Sequence, residues 1–270
     1  YVDNGGSTDT FVPRNLLVGL KDEKLGTVKL GKIDTPVKQL SSVVDTFNNY
    51  VANKADMAGI FTGENRIDNV VVYEAPGFAV GEGKLKATAL LATGEAGGIS
   101  SSKGGAKVAG RGLGDAWSAS VVYDSPVVVA GVAYDKAIPT NFLGRGFDNA
   151  SAPEVTGGTL FAAANTIRAI GRVNLDGGLA LKALYQTSEV ADVDAASKAV
   201  DLLIDDAQGW LIGAEYNLPN AKAWTVKGQY SQNTTSFKDN TADYEAQQIF
   251  VGADYAFSKQ VKAYGYAGYL

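Results

Sequence analysis

The sequence predicts an all-β protein: one antiparallel sheet of about twelve strands, wound into a membrane-spanning barrel as a single domain over residues 1–270. Three observations carry that expectation. Apolar and polar side chains alternate with period two along most of the chain. Its connections are short and long by turns. Tyrosines recur at one end of successive hairpins.

The alternation is clearest in five runs. Ile249, Val251, Ala253, Tyr255 and Phe257 share one face against Gln248, Gly252 and Asp254. Ile167, Ala169, Gly171, Val173 and Leu175 oppose Arg168, Arg172 and Asn174. Trp224, Val226, Gly228 and Tyr230 oppose Thr225, Lys227 and Gln229, and Trp210, Ile212, Ala214, Tyr216 and Leu218 oppose Gly213, Glu215 and Asn217. Leu85, Ala87, Ala89 and Leu91 oppose Lys84, Lys86 and Thr88. Each run is about as long as a tilted strand that crosses a bilayer.

Short connections are expected at 22–25, 76–81, 125–126, 176–177, 219–220 and 258–259, and long ones at 35–65, 95–114, 135–159, 189–206 and 233–243. The long ones are rich in Gly, Ser, Asn, Asp and Thr, as solvated loops are. Such a sheet has two unlike ends, which is the asymmetry of outer-membrane barrels. Tyr73, Tyr123, Tyr216 and Tyr255 each lie on the apolar face just before a short turn. At one level around a barrel they would form an aromatic girdle, rings among acyl chains and hydroxyls at the headgroups.

Composition narrows the function. The chain has no His and no Cys, so no imidazole base, thiolate nucleophile or His/Cys metal site can form; we expect no catalytic residues, no metal and no cofactor. A net charge of −5 argues against a nucleic-acid partner. Mean hydropathy is only −0.04, and no apolar run approaches the roughly 18 residues a membrane helix needs. A membrane protein of this profile crosses with strands, whose alternation averages the hydropathy out.

Several segments resemble the general porins of Gram-negative bacteria, the neisserial type above all. RNLLVGLK from Arg14 to Lys21, followed by GTVKLGK from Gly26 to Lys32, is similar to the porin strand pair that leads into the constriction loop. RIDNVVVYEAP from Arg66 and SVVYDSP from Ser120 resemble the porin strand that ends in Tyr-Asp-Ser-Pro. FVGADYAFSK from Phe250 and the closing AGYL resemble the penultimate hairpin. The order and spacing of these islands span nearly the whole chain. The resemblance implies a barrel of about sixteen strands in the full protein, with about three absent here at the start and one at the end. A complete barrel of about twelve or fourteen strands is the alternative.

The resemblance also implies that 35–65 folds into the lumen as a constriction loop. Thr35 as N-cap, Pro36 at the first helical position and the stripe Leu40, Val43, Val44, Phe47 and Val51 support a helix with an apolar face to bury there. Asp34, Asp45, Asn48, Asp56 and Glu64 are the candidate polar groups of this loop, with Asp45 foremost. Lys29 and Lys32 match basic pore-wall positions of the family, and a bulge at Gly31 is needed to put both on one face. Lys84, Lys86, Arg168, Arg172, Lys182, Lys227 and Lys262 have lumen parity. Acids facing these cations across a narrow lumen would set up a transverse field. Two departures stand out: the loop lacks a Pro-Glu-Phe-Gly run, and Val72 replaces an Arg before Tyr73.

The implied function is a water-filled outer-membrane channel for passive diffusion of ions and small hydrophilic solutes. Its implied partners are membrane lipid and lipopolysaccharide, and two further copies in a homotrimer. Three other readings are weighed. A substrate-specific channel would use aromatics such as Tyr264 and Tyr266. An outer-membrane hydrolase lacks the histidine it would need. A soluble β-barrel or β-sandwich binding protein would turn its apolar face inward, which alternation alone cannot decide.

Overall fold

The computed structural model describes residues 14–48, 56–95, 97–102, 105–144, 160–239 and 242–270. Twelve strands form one continuous antiparallel meander: β1 (Leu16–Asp22), β2 (Gly26–Asp34), β3 (Arg66–Glu74), β5 (Gly83–Thr93), β8 (Leu113–Asp124), β9 (Val128–Asn141), β10 (Phe161–Leu175), β11 (Leu179–Val190), β12 (Ile204–Asn217), β13 (Trp224–Phe237), β14 (Tyr244–Ala256) and β15 (Lys262–Tyr269). Three short strands complete the sheet of fifteen. β4 (Phe78–Val80) pairs with β5; β6 (Ser100–Ser102) and β7 (Gly105–Lys107) form a hairpin, and β7 joins β3 in parallel at Ile67 and Ala106. Among the described residues β1 and β15 do not pair, so the sheet curls without closing.

Among the described residues two α-helices lie in long connections: α1 (Pro36–Val44) and α2 (Ala195–Asp201). Thr35 caps α1 as expected, its hydroxyl accepting from the Lys38 amide at 3.2 Å, and Pro36 takes the first helical position, where a missing N–H costs nothing. Val51 lies outside the described residues. Among the described residues no helix is long and apolar enough to cross a membrane.

Burial decides which face is which. The apolar members of each alternating run are exposed on the outside: Val18, Leu20, Leu30, Val121, Val132, Ile167, Leu181, Ile212, Val226, Ile249 and Val251, with Leu20 at 83% and Val251 at 59%. Their neighbours along each strand turn inward, and Arg168, Gln186, Ser231 and Gln248 are almost wholly buried there. A protein solvated by water on its outside would invert this arrangement. The soluble reading fails on that point.

Several boundaries differ from the sequence expectation: β4 lies in the predicted connection 76–81, β6 and β7 in 95–114, and β12 starts within 189–206, while two strands run on at greater length. Residues 135–141 continue β9 and 233–237 continue β13, where the sequence pattern predicts loop. Their backbones stay paired, Asn141 with Phe161 and Phe237 with Ile204. Residues 137–140 of β9 are buried on both faces beside a register shift, and 233–236 of β13 are polar on both, so the alternation that marks a strand fades while the ladder persists.

Candidate functional site

The inner wall is built in tiers. Nearest the short turns stands a ring of charge. Lys29 of β2 meets Glu74 of β3, and Lys86 of β5 meets Asp124 of β8. Lys182 of β11 lies 2.8 Å from Glu215 of β12. Asp254 of β14 takes both Lys227 at 2.8 Å and Lys262 at 2.7 Å. Arg172 pairs in register with Lys182, and its Nε donates to Asn174 at 2.9 Å. Lys84 pairs in register with Asp124 on the same face.

Further up β9, β10, β11 and β12 the wall becomes apolar, and α1 lies on it. Val37, Leu40 and Val44 pack with Ala133, Ile170, Leu184 and Leu211, joined by Met57, Ile60 and Phe61 of the returning chain. Leu40, Val43 and Val44 of the sequence stripe fall on this face with Val37, whereas the helix stops at Val44 and Phe47 packs beyond it. Water beneath that face would have left those side chains exposed; the wall buries them.

Hydrogen bonds from the wall then hold the described parts of 35–65. The Thr46 amide donates to Gln229 Oε1 at 2.7 Å, the Gly63 amide to Thr140 Oγ1 at 2.9 Å, and Asn65 Nδ2 to the Pro139 carbonyl at 2.6 Å. Gln186 Nε2 donates to Thr62 Oγ1 at 2.7 Å. Phe47 reaches Phe250 and Tyr266, ring centroids 6.1 and 5.8 Å away. The described parts of the loop are thus fastened from β9 round to β15. Inward glycines make room for it: a Cβ at Gly209 would stand 2.6 Å from Phe61 Cδ1, and one at Gly213 would stand 2.7 Å from Thr46 Oγ1.

Arg168 is the central bolt. It is 0% exposed; Nη1 pairs with Glu64 and donates to the Val37 carbonyl and Ser41 Oγ, while Nη2 donates to the Thr62 carbonyl and Gln186. One guanidinium therefore holds both the outgoing and the returning limbs of the loop. Its rigid fork of donors suits that task better than a lysine would.

On the outside, aromatic side chains form two belts. Tyr73 and Tyr123 donate their hydroxyls to the Leu25 and Val80 carbonyls at the short turns, at 2.8 and 3.3 Å. Tyr216 sits at the same end, and Tyr255 packs between Trp224 and Phe257. Six residues up the strands, about 20 Å along the chain, stand Trp117 with Tyr134 and Trp210 with Tyr230, beside Tyr185. Tyr185 and Tyr230 donate to Gln208 and Gln232, each at 3.3 Å, where the outer face becomes polar. An apolar band between two amphipathic belts is how a barrel wall meets lipid.

The family model of Gram-negative porins matches residues 2–270. The chain belongs to the Gram-negative porin family. As such a porin it is a channel protein of the outer membrane. A search among curated proteins finds no sequence relative. Solved structures share the fold. An OmpT, an outer membrane protein of Vibrio cholerae, is 13% identical with a TM-score of 0.61, over 95% of this chain and 69% of its own. A loop-deletion form of that protein gives 14%, 0.57, 95% and 73%. The outer membrane channel DcaP of Acinetobacter baumannii is 11% identical at 0.57, over 98% of this porin and 70% of its own length.

The porin's expected site residues fall into four groups. Lys29, Lys84, Lys86 and Arg172 stand in the charged ring. Arg168 and Glu64, expected to face each other across water, instead meet directly, because the loop lies flat on the wall at β10. Lys32 pairs with Asp68 at 3.0 Å beside the outward Leu16, Val18 and Leu30 rather than with Lys29. Gly31 does adopt φ +138 and the β2–β3 register shifts there, but the β1–β2 register runs through unbroken and keeps Lys32 opposite Leu16.

The remaining loop residues serve the loop itself. Asp34 pairs with Arg66 at 2.7 Å and Lys38 at 3.5 Å. Asp56 caps the 3₁₀ turn Met57–Gly59, accepting from the Ala58 amide. Asn48 is half-buried just beyond Phe47. Asp45 accepts the amides of Phe47 and Met57 at 3.1 and 3.0 Å, drawing the two limbs together. Burial pushes its carboxyl up to about 8; the nearby Asp56 adds to the rise, and the bonds it accepts oppose it. Tyr266, weighed as a sugar contact, is engaged by Phe47. Among the described residues no group of His, Cys, Asp and Glu could hold a metal ion.

Sequence reasoning missed the acids of the ring, the second belt and the glycine seats. Glu74, Asp124, Glu215 and Asp254 share parity with the lysines already marked, and that was signal enough. The belt was legible as Trp117 and Trp210, each six residues before Tyr123 and Tyr216. Nothing local marked Gly209 or Gly213, whose partners are more than a hundred residues away.

Proposed function

We propose that this porin is a water-filled channel through which ions and small hydrophilic solutes diffuse passively, without chemistry and without energy coupling. The carrying observation is the inverted polarity of the wall. Lipid-compatible side chains face out between two aromatic belts, and a hydrogen-bonding, charged surface faces in. The loop 35–65 narrows that interior and is anchored along its described length, so the aperture is a fixed one and selects by size and charge. Membrane lipid covers the apolar band, with lipopolysaccharide at its outer rim. The unit is a homotrimer, for which a similar solved structure, a trimer form of OmpT of Vibrio cholerae, offers precedent (15% identity, TM-score 0.56, over 97% of this chain and 71% of that one).

Refolded protein in a planar bilayer tests the reading. Large stepwise conductance grouped in threes is the expected record. A membrane that stays silent at protein concentrations where folded barrel is present refutes it.

A further inference from the structure

Beneath α1, on the side of the short turns, the wall charges are unequal. The inward positions of β2 to β15 there carry Lys29, Lys84, Lys86, Arg172, Lys182, Lys227 and Lys262 against Glu74, Asp124, Glu215 and Asp254. That is seven cations to four carboxylates, in a chain whose net charge is −5. The chain's acidic excess must therefore lie elsewhere.

Position within the ring strengthens the imbalance. The four acids are each bonded to a lysine, and Asp254 is shared between two. Arg172 is bonded to a neutral amide. Higher up, the loop acids that would have offered a negative counter-face are consumed: Glu64 by Arg168, and Asp34 by Arg66 and Lys38. Asp45 is buried between two backbone amides, and Asp56 is buried as the cap of the 3₁₀ turn, accepting from the Ala58 amide. A passing ion meets the field of the ring without a compensating acid from these loop residues.

Resting on the channel reading above, we propose that the vestibule on the short-turn side is an anion collector, and that the porin prefers small anions (chloride, carboxylates, phosphate) over cations of equal size. A one-sign excess on a low-dielectric wall concentrates counter-ions in the lumen and lowers the cost of their passage. Ions in the bath screen it: the Debye length falls from about 10 Å at 0.1 M to about 3 Å at 1 M.

The test is the reversal potential of the wild-type protein in a planar bilayer under a KCl gradient. An anion-to-cation permeability ratio above about 2 is expected near 0.1 M, falling towards one near 1 M. Exchanging Lys84 and Lys262, both substantially exposed, for Gln should lower the low-salt ratio by about half or more. Open channels that favour potassium, or a ratio indifferent to both salt and the double exchange, overturn the proposal and leave the porin reading intact. No conductance at all would take both down together.

Discussion

Glu64→Gln removes the negative partner of Arg168 while keeping the shape of the side chain. Both groups are buried, Arg168 at 0% and Glu64 at 4% exposed, so the arginine cannot recover its charge balance from water. Breaking a buried ion pair by removing one partner costs about 3–5 kcal/mol. The lower end applies here, because Arg168 keeps the carbonyls of Val37 and Thr62 and the Gln186 amide. About 3 kcal/mol corresponds to roughly a hundredfold gain in the population of a detached loop. We therefore expect single-channel records of Glu64→Gln to show frequent brief transitions to altered conductance, and protease to cut within 35–65 faster than in the wild type. Adding Arg168→Gln removes the stranded charge but also the donors to the Val37 and Thr62 carbonyls, so the double variant should not return to the quiet state. The double-mutant cycle measures the coupling directly. A single variant as quiet and as resistant as the wild type, or a double variant as quiet as the wild type, would refute the bolt.

Three further outcomes are expected. Gly209→Ala drives a methyl into Phe61, which is 1% exposed and has nowhere to swing, so the returning limb should lift at a cost of about 1–3 kcal/mol, read as raised open-channel noise. Asp45 has a folded-state pKa above its ordinary value, so its contribution to seating the loop is whole at low pH and lost as pH rises through about 8; noise should grow across that window in the wild type and stay flat in Asp45→Asn. Val251→Arg, at the exposed centre of the apolar band, should destabilise folding into lipid vesicles by about 2–4 kcal/mol, whereas Gln232→Arg at the polar rim should cost about 1 kcal/mol or less.

The difference between Val251 and Gln232 also explains how much of this porin was legible in its sequence. Where one face meets lipid and the other meets water or polar loop, the two environments impose opposite demands on successive residues. The alternation from Ile249 to Phe257 is then unmistakable, and it fixes register as well, since a slip of one residue would put Asp254 in lipid. Above the second belt that opposition is lost: residues 137–140 are buried on both faces and 233–236 are polar on both, so 135–141 and 233–237 read as loop although their ladders continue. Helix α1 was legible for a related reason: Thr35 and Pro36 are local start signals, and an apolar stripe in a long polar loop has to be buried against something.

What could not be read was contact between distant segments. Parity places Arg168 on the inner wall but is silent on whether water or protein lies over it. The same charge under water would be part of a selectivity filter; under the loop it is a structural anchor, and Glu64 changes role with it. The loop's path decides, and that path is set by where the wall is small enough to accept it: Gly209 under Phe61, Gly213 under Thr46, Gly252 under Phe47. A glycine facing inward in a strand reads from sequence as weak β-propensity, because its value lies wholly in what a partner strand or loop brings against it. Charge in the lower ring needed no such partner to be recognised. Its lysines and carboxylates are inward by parity whatever the loop does, so the sign of the vestibule follows from the strands themselves, whereas the width of the constriction depends on how the loop is seated.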